Sequence, residues 1–472
     1  MKKMGKILSA YLFPHPPIIV EEIGKGQEKR ANKTLEGSKG LAKDIKERRP
    51  STIIIITPHG PLFRDAISIS TQEYLKGDFR NFGVANLKLQ FENNLELVNN
   101  ILKRSGIEDI PVAKIDEDLA KDFNIDLELD HGALVPLYFV DKEYKDFKLI
   151  HITYGLLSPK ELYRFGQLIQ NLVLESEEEV AFIASGDLSH KLSNEGPYSY
   201  SPYGEKFDKE LVELLRKGDF KSIVSFDLSL SEKAGECGLR SLMILSGFLD
   251  GFKIEPEILS YEGPFGVGYC NAKFSVLGKE NESKIFEDLI QMERQRITKT
   301  RKEEDEYVRL ARASLEHYVR HKERMEIPDD LSQELLNTRQ GAFVTIKKDG
   351  ILRGCIGTIE PTQKNLAMEI IENAISAGLR DPRFDPVEEE ELSQLVYSVD
   401  VLMEPEPISS LEELDVGKYG VIVSKGFRKG LLLPNLEGID TPQEQVRIAL
   451  NKAGIPEFED FKLERFEIIR HF

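Results

Sequence analysis

The segment Ser-Thr-Ile-Ile-Ile-Ile-Thr at residues 51–57, bounded by Pro50 and Pro58, restricts the fold more than any other part of the chain. A short, continuous β-branched run is typical of a strand buried on both faces, and such strands occur in parallel sheets covered by helices. An apolar run at 6–13 and a helical pattern at 26–48 precede it and complete a βαβ unit. The sequence therefore predicts an α/β domain with a mixed, mostly parallel sheet flanked by helices.

The same alternation of strands and helices continues to about residue 278. We therefore expect the first domain to span 1–278. Its further strands are predicted at 67–71, 147–153, 180–185 and 254–260, and its further helices at 94–104, 159–175, 204–216 and 233–249.

A second pattern begins after a charged segment. Residues 279–302 lack Gly and Pro and contain few large apolar side chains, which favours a helical linker between domains. Residues 303–472 then mix helices with short strands, as expected of an α+β domain. Its helices are predicted at 304–321, 363–378 and 441–453, and its strands at 342–346, 351–353, 394–403, 419–424, 429–433 and 462–470.

Composition excludes several classes of function. A net charge of −18 over 472 residues argues against non-specific binding of nucleic acid and against docking on anionic lipid, because both need clustered cations. The three cysteines form no CxxC pair, so neither a zinc ribbon nor a disulfide framework is indicated. We find no export signal and no membrane-spanning run, and we expect a reducing, cytoplasmic location.

Three histidines lie in segments that follow predicted strands, and two of them, His15 and His59, follow their strands directly. The three are His15 in FPHPP, His59 in TPHG and His190 in SGDLSH. The carboxyl ends of parallel strands line the ligand crevice of an open α/β sheet, and strands joined by one crossover helix are often neighbours. His15 and His59 could therefore reach one metal ion, in loops stiffened by the adjacent prolines. A single histidine near a strand end is usually structural, but three in equivalent places indicate function. His151, within a strand pattern, is predicted to be a packed core residue.

A carboxylate is needed to complete a two-histidine iron(II) site with open positions. The candidate is Glu236 in AGECGLRSL, at the start of a predicted helix, where the positive end of the helix dipole favours a charged carboxylate. The same nitrogen and oxygen ligands also bind zinc or manganese.

These motifs, together with DHGALVPL around His131, resemble those of the class III extradiol ring-cleaving dioxygenases. The similarity is to the catalytic β-subunit of protocatechuate 4,5-dioxygenase (the LigB type) and to the related Memo proteins. The resemblance implies an enzyme that cleaves a catecholic or related aromatic ring with dioxygen. It implies that His15, His59 and Glu236 bind iron(II), that His190 is the acid/base and that His131 contacts the substrate oxygen or dioxygen.

Two residues beside these motifs leave alternatives open. Cys237 directly follows Glu236, and Memo proteins place a cysteine near this position. If Cys237 faces the metal, the site is softer and a Memo-like metal-binding protein without dioxygenase activity is favoured. Otherwise Cys237 is a small buried residue at a helix start. Asp187 either holds His190 in one tautomer or is a simple turn residue.

The last third of the chain carries LRGCIGT at 352–358, RDPRF at 380–384 and KGLLLP at 429–434. These motifs resemble the AMME-syndrome candidate family (the AMMECR type), an α+β domain that in microbes accompanies Memo-like and radical-SAM proteins. A radical-SAM partner, in a modification or metal-handling pathway, is therefore expected under the Memo-like alternative. A homo-oligomer is compatible with the sequence.

LRGCIGT itself predicts a strand, a tight Gly-Cys turn and a second strand. Cys355 is either a nucleophile whose thiolate Arg353 favours, or a packed residue of a buried strand or groove. Arg380 and Arg383 either bind an anionic ligand or form an internal salt bridge with Asp381 or Asp385, and the second option is slightly preferred.

Overall fold

The computed structural model describes residues 4–194, 196, 198–280, 284–436, 439 and 441–472. The chain divides into two units, Met1–Ile290 and Gln291–Phe472. The first is an α/β unit and the second an α+β unit, which confirms both predicted fold classes. A helix at Ile285–Glu303 lies in the charged segment and crosses the boundary between the units.

The first unit contains ten strands and ten helices among its described residues, besides short 3₁₀ turns. Strands β1–β10 are Lys6–Phe13, Thr52–Thr57, Ile67–Ser70, Tyr74–Phe79, Val84–Glu92, Val112–Ile115, Lys148–Thr153, Glu179–Ser185, Phe252–Glu262 and Tyr269–Lys279. Helices α1–α10 are Glu21–Gly24, Asn32–Arg48, Leu95–Ile107, Glu117–Phe123, His131–Glu143, Pro159–Glu175, Pro202–Lys217, Phe220–Val224, Leu228–Ala234 and Leu239–Phe248. The helix at Ile285–Glu303 is α11.

The central sheet has the order β6-β3-β7-β2-β8-β1-β10-β9. Strands β7, β2, β8 and β1 are parallel, whereas β10 and β9 are antiparallel at one edge. Strand β2 is buried on both faces, as its sequence predicts. Ile54 and Ile56 pack into one core and Ile53 and Ile55 into the other, so helices cover both sides of the sheet.

Strand β8 lies between β1 and β2 and pairs with both. The strands that precede His15 and His59 are therefore not direct neighbours, although the crossover between them contains a single long helix, α2, after the short α1. The insertion of β8 places the loop that carries His190 between the loops of the other two histidines. Local patterns set the strands, but their order depends on which strand later in the chain completes the sheet.

Two regions of the first unit differ from the local expectation. The helix predicted at 233–249 is interrupted, because α9 ends at Ala234 and α10 begins at Leu239, with Glu236 and Cys237 in the turn between them. Helix α5 is not indicated by its sequence, because it contains Pro136 and is apolar on all sides rather than on one face.

The described residues of the second unit form two four-stranded sheets, β12-β11-β13-β18 and β14-β17-β15-β16. Strands β11–β18 are Ala342–Lys348, Ile351–Gly357, Leu395–Leu402, Glu406–Pro407, Gly420–Lys425, Arg428–Leu432, Lys462–Phe466 and Ile468–His471, and helices α12–α15 are Glu306–His321, Gln333–Asn337, Leu366–Leu379 and Pro442–Ala453. The strand predicted at 462–470 is thus divided into β17 and β18, which belong to different sheets.

LRGCIGT does not form the predicted Gly-Cys turn. It lies in one continuous strand, β12, with Cys355 in the interior. Gly354 is explained by packing instead, because a Cβ there would lie 2.1 Å from the Ala377 carbonyl oxygen of helix α14. Among the described residues, no helix has the length and apolar character needed to cross a membrane.

Candidate metal centre

Three donor side chains converge at the carboxyl end of the central sheet. His15 follows β1, His59 follows β2, and Cys237 lies in the turn between α9 and α10. Their candidate ligand atoms all lie within 4.8 Å of one another. The two Nε2 atoms are 3.1 Å apart, and the Cys237 Sγ is 3.6 Å from the His15 Nε2. This is a two-nitrogen, one-sulfur set of the kind that binds transition metals.

Glu236 does not join this group. Its Oε1 accepts a hydrogen bond from the Ser231 hydroxyl at 2.6 Å, and its Oε2 accepts one from the Leu239 N–H at 2.7 Å. Leu239 begins α10, whose first N–H groups need acceptors because they have none within the helix. In this structure Glu236 therefore lies outside the donor group, and the group contains the Cys237 sulfur, which is the alternative that the sequence left open.

The tautomer of His15 suits metal ligation. The Ser185 hydroxyl donates to the Gly132 carbonyl, and its oxygen lies 2.9 Å from the His15 Nδ1. Since the hydroxyl proton is already committed, Nδ1–H of His15 is the donor in this contact, which leaves the lone pair of Nε2 facing His59 and Cys237. Ser185 ends β8 and opens the SGDLSH motif, so its position was visible in the sequence but its role was not.

Both imidazoles are held neutral. Burial, followed by the nearby His131, lowers the pKa of His15 well below its usual value. Burial and the neighbouring His15 and His131 lower the pKa of His59 to about 3, although part of that residue is exposed. Neutral imidazoles are the form that binds a metal, so neither residue would have to lose a proton on ligation at neutral pH.

The Cys237 thiol has the opposite character. Burial, with the charges of Asp187 and Glu236, raises its pKa well above the usual value, so the free thiol is protonated. A bound metal ion would reverse this, because a coordinating thiol loses its proton. The Asp187 N–H, 3.3 Å from Sγ, is a donor that would stabilise the resulting thiolate.

The remaining predicted residues surround the group. His131 begins α5 and stacks on His59 with ring centroids 4.2 Å apart. The His190 Nε2 lies 3.7 Å from the Cys237 Sγ, and its ring stacks on Tyr198. Burial lowers the pKa of both His131 and His190. Two further imidazoles thus stand beside the donor set, neutral and able to accept a proton.

The side chain of Asp187 contacts the backbone of His15. Its Oδ1 accepts a hydrogen bond from the His15 N–H at 2.9 Å, a contact that differs from both alternatives considered from sequence, the tautomer lock on His190 and the simple turn residue. Burial raises the pKa of Asp187 to about 6, against the influence of His190 and of the His15 N–H.

Asp130 is a supporting residue that the sequence did not single out, although it directly precedes His131. Its Oδ1 accepts a hydrogen bond from the Thr57 hydroxyl at 2.6 Å, and its Oδ2 lies 3.0 Å from the His151 Nε2. His151 is 3% exposed, in agreement with its prediction as a core residue. Asp130 thereby connects the loop of His59 to the helix that begins with His131.

Two of the three motifs of the second unit, LRGCIGT and RDPRF, meet along the edge of β12. The Cys355 N–H donates to the Asp381 Oδ2 at 2.9 Å, and the Arg383 guanidinium donates to the Cys355 carbonyl at 3.2 Å. Arg383 also pairs with Asp381 at 2.6 Å, and Arg380 pairs with Glu372 at 2.9 Å. Both arginines therefore form internal salt bridges. RDPRF supplies the hydrogen bonds that a further strand would otherwise make with this edge.

Cys355 and Arg353, both on β12, contact different partners. The Cys355 Sγ is 3.3 Å from the Thr345 hydroxyl, and burial raises its pKa, so the thiol is not activated. Arg353 forms an ion pair with Glu391 at 2.8 Å instead of one that would favour a thiolate.

Two family models match separate parts of this chain. The family model described as "Catalytic LigB subunit of aromatic ring-opening dioxygenase" matches residues 9–272, and the AMMECR1 model matches residues 308–471. A protein of Clostridium acetobutylicum is 47% identical over 462 residues, which cover 98% of each chain. A protein of Thermotoga maritima is 52% identical over 170 residues, which cover 36% of this chain and 98% of the relative.

Among solved structures, an uncharacterized protein from Pyrococcus horikoshii is 36% identical. The match covers 35% of this chain and 88% of that one, with a TM-score of 0.33. From its family match and its long relative, the chain belongs to the family of the catalytic LigB subunit of aromatic ring-opening dioxygenases and carries an AMMECR1 domain in its second unit.

Proposed function

We propose that the first unit is a Memo-like metal-binding protein that holds a transition metal ion through His15, His59 and Cys237. One observation carries the proposal: the Cys237 thiol reaches the two imidazoles, whereas both oxygens of Glu236 accept hydrogen bonds elsewhere. Under this proposal the protein acts with a radical-SAM partner, which the family resemblance suggests.

The donor set favours zinc or iron(II) over manganese. Thiolate and imidazole are soft or borderline ligands, whereas manganese prefers carboxylate, carbonyl and water oxygens. Two neutral imidazoles and one thiolate would give the pocket a single negative charge from its ligands, which suits a divalent cation. Three protein ligands also leave a coordination position open, as in catalytic zinc sites.

When bound, such an ion would supply Lewis-acid chemistry to a ligand in the open position. The chain's own residues then have separate tasks. The Ser185 hydroxyl orients the His15 ring, and the Asp187 N–H supports the Cys237 sulfur. His190 and His131 are placed to accept or return a proton at the edge of the donor set.

Cobalt(II) reconstitution of the full-length protein tests the third ligand. We expect a near-ultraviolet sulfur-to-cobalt charge-transfer band that is lost in Cys237→Ser and retained in Glu236→Gln, a matched control on the adjacent residue. Metal analysis of the protein as purified would identify the native ion. A band that survives in Cys237→Ser, with metal lost from Glu236→Gln, would overturn the proposal.

An extradiol dioxygenase is the second candidate, because His190 and His131 flank the site as an acid/base and a substrate-contacting residue would. Oxygen uptake with iron(II) and a panel of catechols, under exclusion of other oxidants, tests it. Uptake that His190→Ala abolishes while metal content is unchanged would favour the dioxygenase. Bound metal without uptake on any catechol would favour the Memo-like protein.

A further inference from the structure

We infer that Asp208 is a positioning residue for this centre: it holds the loop at residues 187–191, here called the His190 loop, and thereby sets the position of His190 and Asp187 against Cys237. Only the metal-dependent part of this inference rests on the proposed function. Asp208 lies on α7, outside every motif of the sequence, and is 19 residues from the nearest loop residue that it contacts.

Asp208 is a buried carboxylate held by neutral hydrogen-bond donors. It is 1% exposed. Its Oδ1 accepts a hydrogen bond from the Ser189 N–H at 2.8 Å, and its Oδ2 accepts one from the Tyr261 hydroxyl at 2.7 Å. Within the described part of the chain it has no ion-pair partner. Burying an acidic group without a cation is costly, so a role in holding its two partners is a physical reason for its presence.

Ser189 is the point at which the carboxylate acts on the loop. Besides the N–H bound to Asp208, its hydroxyl donates to the Ala234 carbonyl at 2.9 Å, and its carbonyl accepts from the Gly268 N–H at 2.8 Å. Ser189 is completely buried, so all three contacts are shielded from competing water. Asp208, Gly268 and Ala234, which lies three residues before Cys237, thus all fix Ser189.

The segment that contains Cys237 is also hydrogen-bonded directly to the His190 loop. The His190 N–H donates to the Gly235 carbonyl at 3.3 Å, and the Cys237 N–H donates to the Asp187 carbonyl at 3.3 Å. These two hydrogen bonds, together with that of Ser189 to Ala234, join the loop to the segment 234–237 at three points. A displacement of Ser189 would alter the 3.7 Å separation of the His190 Nε2 from the Cys237 Sγ.

The space around Asp208 leaves little freedom for another arrangement. A Cβ on Gly268 would lie 2.0 Å from the Asp208 Oδ2, so the residue directly before β10 packs closely against the carboxylate. Burial raises the pKa of Asp208 to about 7, against its hydrogen bonds from Tyr261 and Ser189. In either protonation state Oδ1 can accept from the Ser189 N–H, so an asparagine would preserve the contact to the loop.

The test uses the metal-free, full-length protein with carbon-13-labelled histidines. The His190 resonance is assigned by its absence in His190→Gln. We expect Asp208→Ala to shift and broaden it, because Ser189 loses its acceptor, and Asp208→Asn to restore the wild-type signal. With cobalt(II), Asp208→Ala should bind at least about tenfold more weakly, the effect typical of removing an outer-shell support.

Asp44→Ala is the matched control. The Asp44 Oδ2 also accepts a hydrogen bond from a tyrosine hydroxyl, that of Tyr11, at 2.7 Å, but Asp44 is bonded to α2 and β10 rather than to the His190 loop. It should lose stability without moving the His190 resonance. Tyr261→Phe, which removes only the donor to Oδ2, should give a smaller shift than Asp208→Ala and serves if that variant does not fold.

An unchanged His190 resonance in Asp208→Ala and in Tyr261→Phe would overturn the inference. A shift of the His190 resonance in Asp44→Ala as large as that in Asp208→Ala would also overturn it. If wild-type protein shows no sulfur-to-cobalt band, the proposed function fails, and the metal-free resonances still decide the role of Asp208. The two failures are therefore distinguishable.

Discussion

At the scale of single residues, Asp130 has more structural tasks than its place in the sequence suggests. It caps α5 through the Ala133 N–H at 3.2 Å, accepts the Thr57 hydroxyl and pairs with His151. Burial acts to raise its pKa, but the contact with His151 and the Thr57 hydroxyl hold that pKa well below the usual range. The residue is therefore ionised in the native protein at neutral pH.

We predict that Asp130→Ala destabilises the first unit by about 3 kcal/mol, through the lost helix cap and a buried His151 without its partner. Asp130→Asn keeps a good capping side chain and should cost about 1 kcal/mol. Urea unfolding of the full chain, followed by a probe in the first unit, measures both. Equal losses for the two variants would contradict a role in capping.

At the scale of elements, β12 shows how an exposed sheet edge is protected. It is the edge strand of its sheet, and the segment after α14 covers it. Glu391 pairs with Arg353 on β12 and with Lys348 at 3.0 Å on β11. Burial opposes ionisation of Glu391, yet the hydrogen bonds from these two cations hold its pKa at about 2. The edge strand β12 is therefore held largely by ion pairs.

This arrangement predicts an acid dependence of the second unit. Because the folded pKa of Glu391 is depressed to about 2, its contribution is present above its usual pKa of 4.5 and is lost as the pH falls from 4.5 towards 2. We expect a loss on the order of 1–2 kcal/mol from this group between pH 6 and pH 2, after allowance for solvent screening. The urea midpoint of the second unit at both pH values measures it.

Glu391→Gln is the variant that isolates this effect. It should lower the stability of the second unit at pH 6 and reduce the further loss on acidification. Asp381, whose pair with Arg383 and hydrogen bond from Cys355 hold its pKa at about 2, remains in the variant and accounts for part of the residual dependence. The same acid sensitivity in wild type and Glu391→Gln would rule out the assigned origin.

At the scale of the whole molecule, each unit has a hydrophobic core of its own. The two large cores of the first unit lie on either side of its central sheet, and a separate core in the second unit lies between α12, α14 and strands β11 and β13. The donor set belongs entirely to the first unit. Metal binding should therefore stabilise one unit directly and not the other.

Calorimetry of the full chain tests this expectation. Cobalt(II) at 100 times its dissociation constant should stabilise the first unit by about 2.7 kcal/mol and leave the transition of the second unit in place. Cys237→Ser should abolish the stabilisation by cobalt(II). Glu391→Gln should lower the transition temperature of the second unit alone, which identifies the transition that belongs to each unit. A metal-induced rise in both transitions would indicate that the units unfold as one.

The strands β1, β2, β7 and β8 and the histidines that follow three of them were predictable from sequence, because burial on both faces leaves a local signature. The resemblance of the motifs likewise identified both families, which the family models confirm. Short-range patterns were enough for these features.

The third donor and its supports were not predictable, since they depend on contacts between distant segments. Glu236 and Cys237 are adjacent in sequence, and which of them faces the histidines follows from the need of α10 for an acceptor at its first turn. The order of β1, β8 and β2, and the contact of Asp208 with Ser189, likewise arise only when the sheet is assembled. Local sequence specifies elements and donor types, whereas long-range packing and hydrogen bonding select which donors meet.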